Sequence, residues 1–128
     1  MNIATAIPEF SIRSSTAEDC ELILGFIKEL AEYEKLSHEV VATPETLRES
    51  LFGDKPYAEV LIAEYRAKPV GYALYFHNYS TFTGRPGIYL EDIYIQPHVR
   101  GMGFGKSLLS YLAKTAVDMN FTLVEWSV

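Results

Sequence analysis

One stretch limits the possible folds more than any other: residues 88–109, IYLEDIYIQPHVRGMGFGKSLL. A β-branched and aromatic run carries Glu91 and Asp92 and stops at Gln96-Pro97. Next comes a loop with Arg100 and glycines at 101, 103 and 105, and then an apolar pattern of helical period from Gly103 to about Met119. Without Cβ atoms such a loop can turn successive N–H groups toward one anion, and the helix behind it adds its partial positive end. A strand that feeds a glycine-lined helix start is a seat for phosphate. Arg100 and Lys106 supply charges for it. Two carboxylates on the strand just before that seat place proton chemistry beside a bound phosphorylated cofactor.

The rest of the chain reads as alternating helices and strands around this unit. Met1 to Glu9 is expected to be a loose lead-in, with a first strand at Phe10–Arg13. Thr16 with Asp19 three residues on is a capping-box arrangement. The helix that follows carries Cys20, Ile23, Leu24, Phe26, Ile27 and Leu30 toward the core and fades near Glu34. Thr43-Pro44 opens a second, shorter helix that ends near Phe52-Gly53. A hairpin is expected from Ala58–Tyr65 and Val70–Phe76, turning at Arg66–Lys68. The near-continuous apolar character of these strands suggests a sheet covered on both faces. Asn78–Gly87 reads as a turn region, Ile88–Ile95 as the central strand and Phe121–Val128 as a last strand. The third helix is expected to bury Leu108, Leu109, Leu112, Ala116 and Met119.

At 128 residues the chain is expected to be a single domain, residues 1–128. A formal net charge of −6 argues against nucleic acid as a partner and suits a cationic substrate. The one cysteine, Cys20, forms no intrachain disulfide, and no metal site is expected because His38, His77 and His98 lack ligand spacing. No apolar run reaches the ~18 residues of a membrane span, so no membrane partner is expected and a cytoplasmic location is the default.

Three loop patterns compete over Arg100–Ser107. A nucleoside triphosphate loop needs a glycine where Arg100 stands, although Gly105-Lys106-Ser107 matches its tail. A dinucleotide fingerprint needs a third glycine where Leu108 stands. The pattern Arg/Gln-x-x-Gly-x-Gly/Ala is met in full by Arg100, Gly103 and Gly105. With the upstream Leu-Glu-Asp-Ile-Tyr-Ile-Gln-Pro strand, it resembles the acetyl-CoA pyrophosphate loop of the Gcn5-related N-acetyltransferases (GNAT). The likeness runs from Phe10 onward. Residues 26–37, 51–57, 79–85 and 89–94 are similar to the diamine acetyltransferase branch, which holds spermidine/spermine and thialysine enzymes. Tyr79-Ser80-Thr81-Phe82-Thr83-Gly84-Arg85 is closer to the thialysine members, with Ser80 where polyamine enzymes are expected to carry an acid.

The resemblance implies an α/β GNAT acyl-CoA N-acyltransferase fold, with a mixed twisted sheet and helices on both faces. It implies acetyl transfer from acetyl-CoA to a primary amine of a small diamine or lysine-like substrate. An amine of pKa ~10.4 arrives protonated and must lose a proton before it attacks. Alternation along a regular strand would point Glu91 and Asp92 to opposite faces, and the resemblance gives the base role, through water, to Glu91. It gives substrate contacts to Tyr33, Glu34, Phe82, Glu91, Asp92, Glu125, Trp126 and Ser127. Cofactor contacts fall to Ile93, Tyr94 and Ile95, pairing with the pantetheine arm, and to Arg100, Gly101, Met102, Gly103, Phe104, Gly105 and Lys106. An N–H of the strand is expected to face the developing oxyanion. Relatives are expected to be homodimers and to continue past Val128 with a further helix and strand pair. That helix is expected to carry a tyrosine that protonates the departing thiolate. The fold is accordingly expected to be C-terminally truncated, and an acetyl-CoA-binding remnant or interaction module without turnover is the alternative.

Overall fold

The computed structural model describes residues 2–126. Strands β1 (Asn2–Ala4) and β2 (Phe10–Ser14) precede helices α1 (Cys20–Tyr33) and α2 (Pro44–Phe52). Strands β3 (Glu59–Tyr65), β4 (Lys68–Ser80) and β5 (Arg85–Ile95) follow, then α3 (Phe104–Asp118) and β6 (Thr122–Trp126). All six strands form one sheet in sequence order. Every neighbouring pair is antiparallel except β5 and β6, which run parallel across α3. The sheet is therefore mixed, as the resemblance implies.

Burial on both faces explains the unbroken apolar runs. On β3, Leu61 and Ala63 face α3 with Phe10, Ile12, Leu108 and Leu112. Val60 and Ile62 face α1 and α2 with Ile23, Phe26, Leu47 and Leu51. Phe104, at the first turn of α3, stacks on Phe10 with ring centroids 4.0 Å apart, fixing the start of that helix against the sheet. Cys20, the first residue of α1, is buried, as expected.

Local chemistry sets the element ends. Thr16 opens a single 3₁₀ turn before α1, and the Asp19 carboxylate accepts from the Thr16 N–H at 2.7 Å. Arg13 grips the same carboxylate with both terminal nitrogens at 2.9 Å and donates from Nε to Glu64 at 3.0 Å. Helix α1 stops because Lys35 turns left-handed (φ 61°), letting Leu36 N–H reach the Ala31 carbonyl at 2.7 Å. Asn120 (φ 59°) ends α3 by the same device. Arg66 and Ala67 both take positive φ, as the tight β3–β4 hairpin requires.

Three expectations are corrected. The lead-in is partly a strand: β1 pairs with β2, and the Thr5 hydroxyl folds the following turn by donating to the Phe10 carbonyl at 2.9 Å. The region 78–87 is mostly hairpin, because β4 and β5 pair out to Ser80↔Arg85 and Phe76 meets Tyr89 across the strands. Its Ser, Thr and Gly content suggests a turn, yet ladder bonds and this aromatic pair carry the strands to the tip. Met119 is exposed, since α3 ends one residue before it and it caps the helix on the solvent side. Among the described residues no helix is long and apolar enough to cross a membrane.

Candidate active site

The central strand departs from regular alternation where it matters most. In the β4–β5 ladder Leu74 pairs with Asp92 and Tyr75 with Leu90, so Glu91 is an extra residue in a β-bulge. Leu90 faces α3 with Ile88, but beyond the bulge it is Ile93 and Ile95 that pack on that side. Asp92 and Tyr94 are thereby turned toward α1. The opposite-faces expectation for Glu91 and Asp92 does not hold, because the bulge shifts the phase of the strand by one residue.

On the α1 side, the Tyr72 hydroxyl of β4 donates to Asp92 Oδ2 at 3.0 Å. Tyr72 is fully buried, and burial, reinforced by the negative charges of Asp92, Glu34 and Glu91, pushes its phenol far above the ordinary range. Burial also holds the Asp92 carboxyl above its ordinary value, opposed by the Tyr72 hydrogen bond. Three carboxylates from α1's end and β5 thus share one electrostatic neighbourhood. The C-terminal end of α1 adds its own partial negative charge there. Such a place favours an ammonium group.

Beside it, Tyr94 donates its hydroxyl to Glu29 Oε1 at 2.9 Å, and Gln96 Nε2 donates to the same oxygen at 3.3 Å. Burial first, then this bond to Glu29, pushes the Tyr94 phenol up to about 12. Arg100 donates from Nε to the Ile95 carbonyl at 2.8 Å. Its guanidinium lies over the Tyr33 ring, 4.6 Å from the centroid, and 5.6 Å from that of Tyr94. Arg100 therefore ties the glycine loop to the end of α1.

The loop itself has the geometry of an anion seat. Gly101 and Gly103 take φ of 86° and 87°, and Gly103 is the left-handed N-cap of α3. Side chains are disfavoured there, whereas glycine lets the N–H groups ahead of α3 converge. Strand β5 continues past its Leu90↔Trp126 pairing with β6 to Ile95. A groove of about 480 Å³ opens there between β5 and α3, lined by Ile93, Tyr94, Ile95, Arg100, Gly103 and Gly105 among others. A strand wall leading to a glycine-lined helix N-terminus fits an extended amide arm that ends in phosphate, which is the shape of a CoA thioester.

Most predicted site residues are brought together here. Ile93, Tyr94, Ile95, Arg100, Gly101, Gly103, Phe104 and Gly105 line the groove, although the Phe104 side chain is core and leaves only its backbone for a ligand. Tyr33, Glu34, Glu91 and Asp92 gather on the α1 side. Met102 and Lys106 instead line a separate groove between α3 and residues 3–7. Phe82 stands fully exposed at the hairpin tip. It lies on the order of 20 Å along β5 from Asp92, outside the cluster. The backbone register sets Glu125 opposite Tyr89 and Trp126 opposite Leu90, next to the bulge. Ser127 lies outside the described residues. Sequence reading missed Tyr72 and Glu29. A tyrosine inside a buried strand needs a partner for its hydroxyl, which is the signal that points to Tyr72.

Comparison with known proteins gives a consistent picture. The profile of the Acetyltransferase (GNAT) family matches residues 26–128. The thialysine N-epsilon-acetyltransferase of Bos taurus is 41% identical over 129 residues, covering 91% of this chain and 75% of that protein. Its counterpart from Sus scrofa is 46% identical over 115 residues, covering 84% and 67%. Among solved structures, an aminoglycoside acetyltransferase from an uncultured soil metagenomic sample superposes with a TM-score of 0.79 at 17% identity, over 94% of this chain and 78% of that one. The last comparison speaks to the fold alone.

Proposed function

Because this chain belongs to the acetyltransferase (GNAT) family, we propose that it acetylates the primary amine of a small lysine-like substrate, thialysine-type ahead of polyamine. Acetyl-CoA is the acetyl donor of this family, and when bound it supplies the acyl group already activated as a thioester. The observation that carries the reading is the pairing of two features at one point of the sheet. A phosphate-type loop opens into a groove, and a carboxylate cluster sits on the other side of the same strand.

In this reading Arg100, Gly101, Gly103, Phe104 and Gly105 hold the pyrophosphate, chiefly through backbone N–H groups at the start of α3. Backbone groups of Ile93–Ile95, other than the Ile95 carbonyl that Arg100 holds, pair with the extended arm and aim an N–H at the carbonyl oxygen where charge develops. Glu34 and Asp92 hold cationic groups of the amine, with Tyr33 and, from β6, Glu125 and Trp126 completing the pocket. Glu91 accepts the ammonium proton through water. Its place in the bulge supports this role, since a bulge turns a strand side chain toward a neighbouring site that regular pairing denies it. The thialysine preference rests on the named relatives and on Ser80, which carries no charge for a second polyamine nitrogen.

Residues 1–128 are read as one catalytic domain in a cytoplasmic homodimer. The exposed Phe82 and Tyr79 at the hairpin tip support self-association, being large apolar surfaces held away from their own chain's site. The direct test is thiol release from acetyl-CoA with a panel of thialysine, lysine, ornithine, spermidine and spermine. The reading expects turnover highest with thialysine or lysine. Turnover confined to the polyamines would sink the specificity assignment.

A further inference from the structure

Tyr72 is a buried residue with an unexpected polar end. Its ring belongs to the core beneath α1, stacked against Phe26 at 5.8 Å and 6°, with Tyr94 tilted at 6.5 Å. Phenylalanine would fill the same space without a buried hydroxyl, and a buried hydroxyl is costly unless it is bonded. That hydroxyl has a partner at 3.0 Å, Asp92 Oδ2. The partnership exists because of the bulge: Tyr72 pairs with Tyr94, Leu74 with Asp92, and the extra Glu91 turns Asp92 to the Tyr72 side.

Resting on the amine-acetyltransferase reading above, we propose that Tyr72 is a positioning residue of the amine site, its hydroxyl aiming the Asp92 carboxylate and keeping it anionic to receive ammonium. A phenol can only donate to a carboxylate, so the bond favours the ionised form. It acts against burial, which disfavours the charge on Asp92. Glu91 on the same strand and Glu34 at the end of α1 bring their charges to bear on the Tyr72 hydroxyl itself. Tyr94, the other phenol on this face, is committed to Glu29, which leaves Tyr72 as the donor aimed at Asp92. Arg100 lies over Tyr33 and Tyr94 with its Nε on the Ile95 carbonyl, so its hydrogen bond is directed away from Asp92. Tyr72 thus sets how readily Asp92 stays charged while no amine is bound.

The test is Tyr72→Phe, which keeps the ring packing. A charge-assisted hydrogen bond to a carboxylate moves its titration by about one pH unit, a tenfold change. The carbon-13 shift of the Asp92 carboxyl in the ligand-free protein is expected to titrate about one unit higher in the variant. Amine KM is expected to rise by up to about tenfold at pH below the Asp92 titration seen in the same carbon-13 experiment, with the deficit vanishing at pH above it, while the acetyl-CoA Kd stays within twofold. In an Asp92→Asn background the same substitution should change amine KM by less than twofold. An Asp92 titration unmoved by Tyr72→Phe would overturn the proposal, as would an equal loss of amine affinity in both backgrounds. The titration needs no turnover. A wild-type protein that acetylates no amine would refute the functional reading while leaving the Tyr72–Asp92 link to be judged by the titration alone.

Discussion

Gly103→Ala gives the sharpest separation between a glycine loop that binds and one that merely turns. Gly103 is the N-cap of α3 with φ 87°. A Cβ placed there would approach only Ile7 Cδ1, at 3.7 Å, which is ordinary contact. Crowding is therefore not the penalty; conformation is. Holding an L-residue in the left-handed region costs about 1–2 kcal/mol, a factor of 5–30. If the loop keeps its shape, that cost appears as lost stability, with a melting midpoint lower by about 3–10 °C. If the loop relaxes, the N–H groups ahead of α3 no longer converge, and acetyl-CoA affinity falls by the same factor. Gly84, in the β4–β5 turn, has φ 68° and nothing within 4 Å of an added Cβ, so Gly84→Ala carries a comparable strain far from the groove. Calorimetric titration with acetyl-CoA and thermal melting of both variants decide the matter. The account expects both to lose stability or shape, with any loss of acetyl-CoA affinity confined to Gly103→Ala. Equal acetyl-CoA affinity in Gly103→Ala and wild type, with the melt unchanged, would refute the reasoning. So would an equal affinity loss in Gly84→Ala.

Two further expectations follow from particular side chains. Glu91→Gln removes the proposed base, so turnover at neutral pH should drop by about 100-fold or more while acetyl-CoA binding stays within twofold; steady-state kinetics and calorimetry check the two halves. Arg13→Ala leaves the Asp19 and Glu64 carboxylates without the guanidinium that joins β2, β3 and the start of α1. With these ion pairs mostly covered, the loss should be about 2–3 kcal/mol in denaturant unfolding at pH 7. The Arg13 guanidinium holds the Asp19 carboxyl below its ordinary value of 3.8, so the folded state binds this proton less readily than the unfolded state. That stabilisation is present above about pH 4 and is lost as pH falls through the folded-state value. The gap between wild type and Arg13→Ala should therefore narrow below about pH 4.

Local signals made most of the fold legible. Thr16 and Thr43-Pro44 mark the approaches to α1 and α2, Asn120 marks the end of α3, and the unbroken apolar runs of β3 and β4 announce a sheet covered twice. Two strand errors share one cause. Residues 2–4 and 78–80 take strand geometry from their partners, Ser11–Arg13 and Arg85–Gly87, and nothing in their own composition asks for it. The site was legible where chemistry is local, as in the spacing of Arg100, Gly103 and Gly105. It was not legible where it depends on register. A bulge at Glu91 cannot be read from Leu-Glu-Asp-Ile, because it exists only in how β5 counts against β4. Once that count is known, Asp92 turns from the face predicted by alternation to the one that holds Tyr72.

The central claim is that the groove between β5 and α3 takes acetyl-CoA, and calorimetric titration of the purified chain tests it most directly, with ATP and NAD as controls. The account predicts saturable binding of acetyl-CoA, with no heat from ATP or NAD at the same concentrations. Binding of ATP or NAD in place of acetyl-CoA would contradict it.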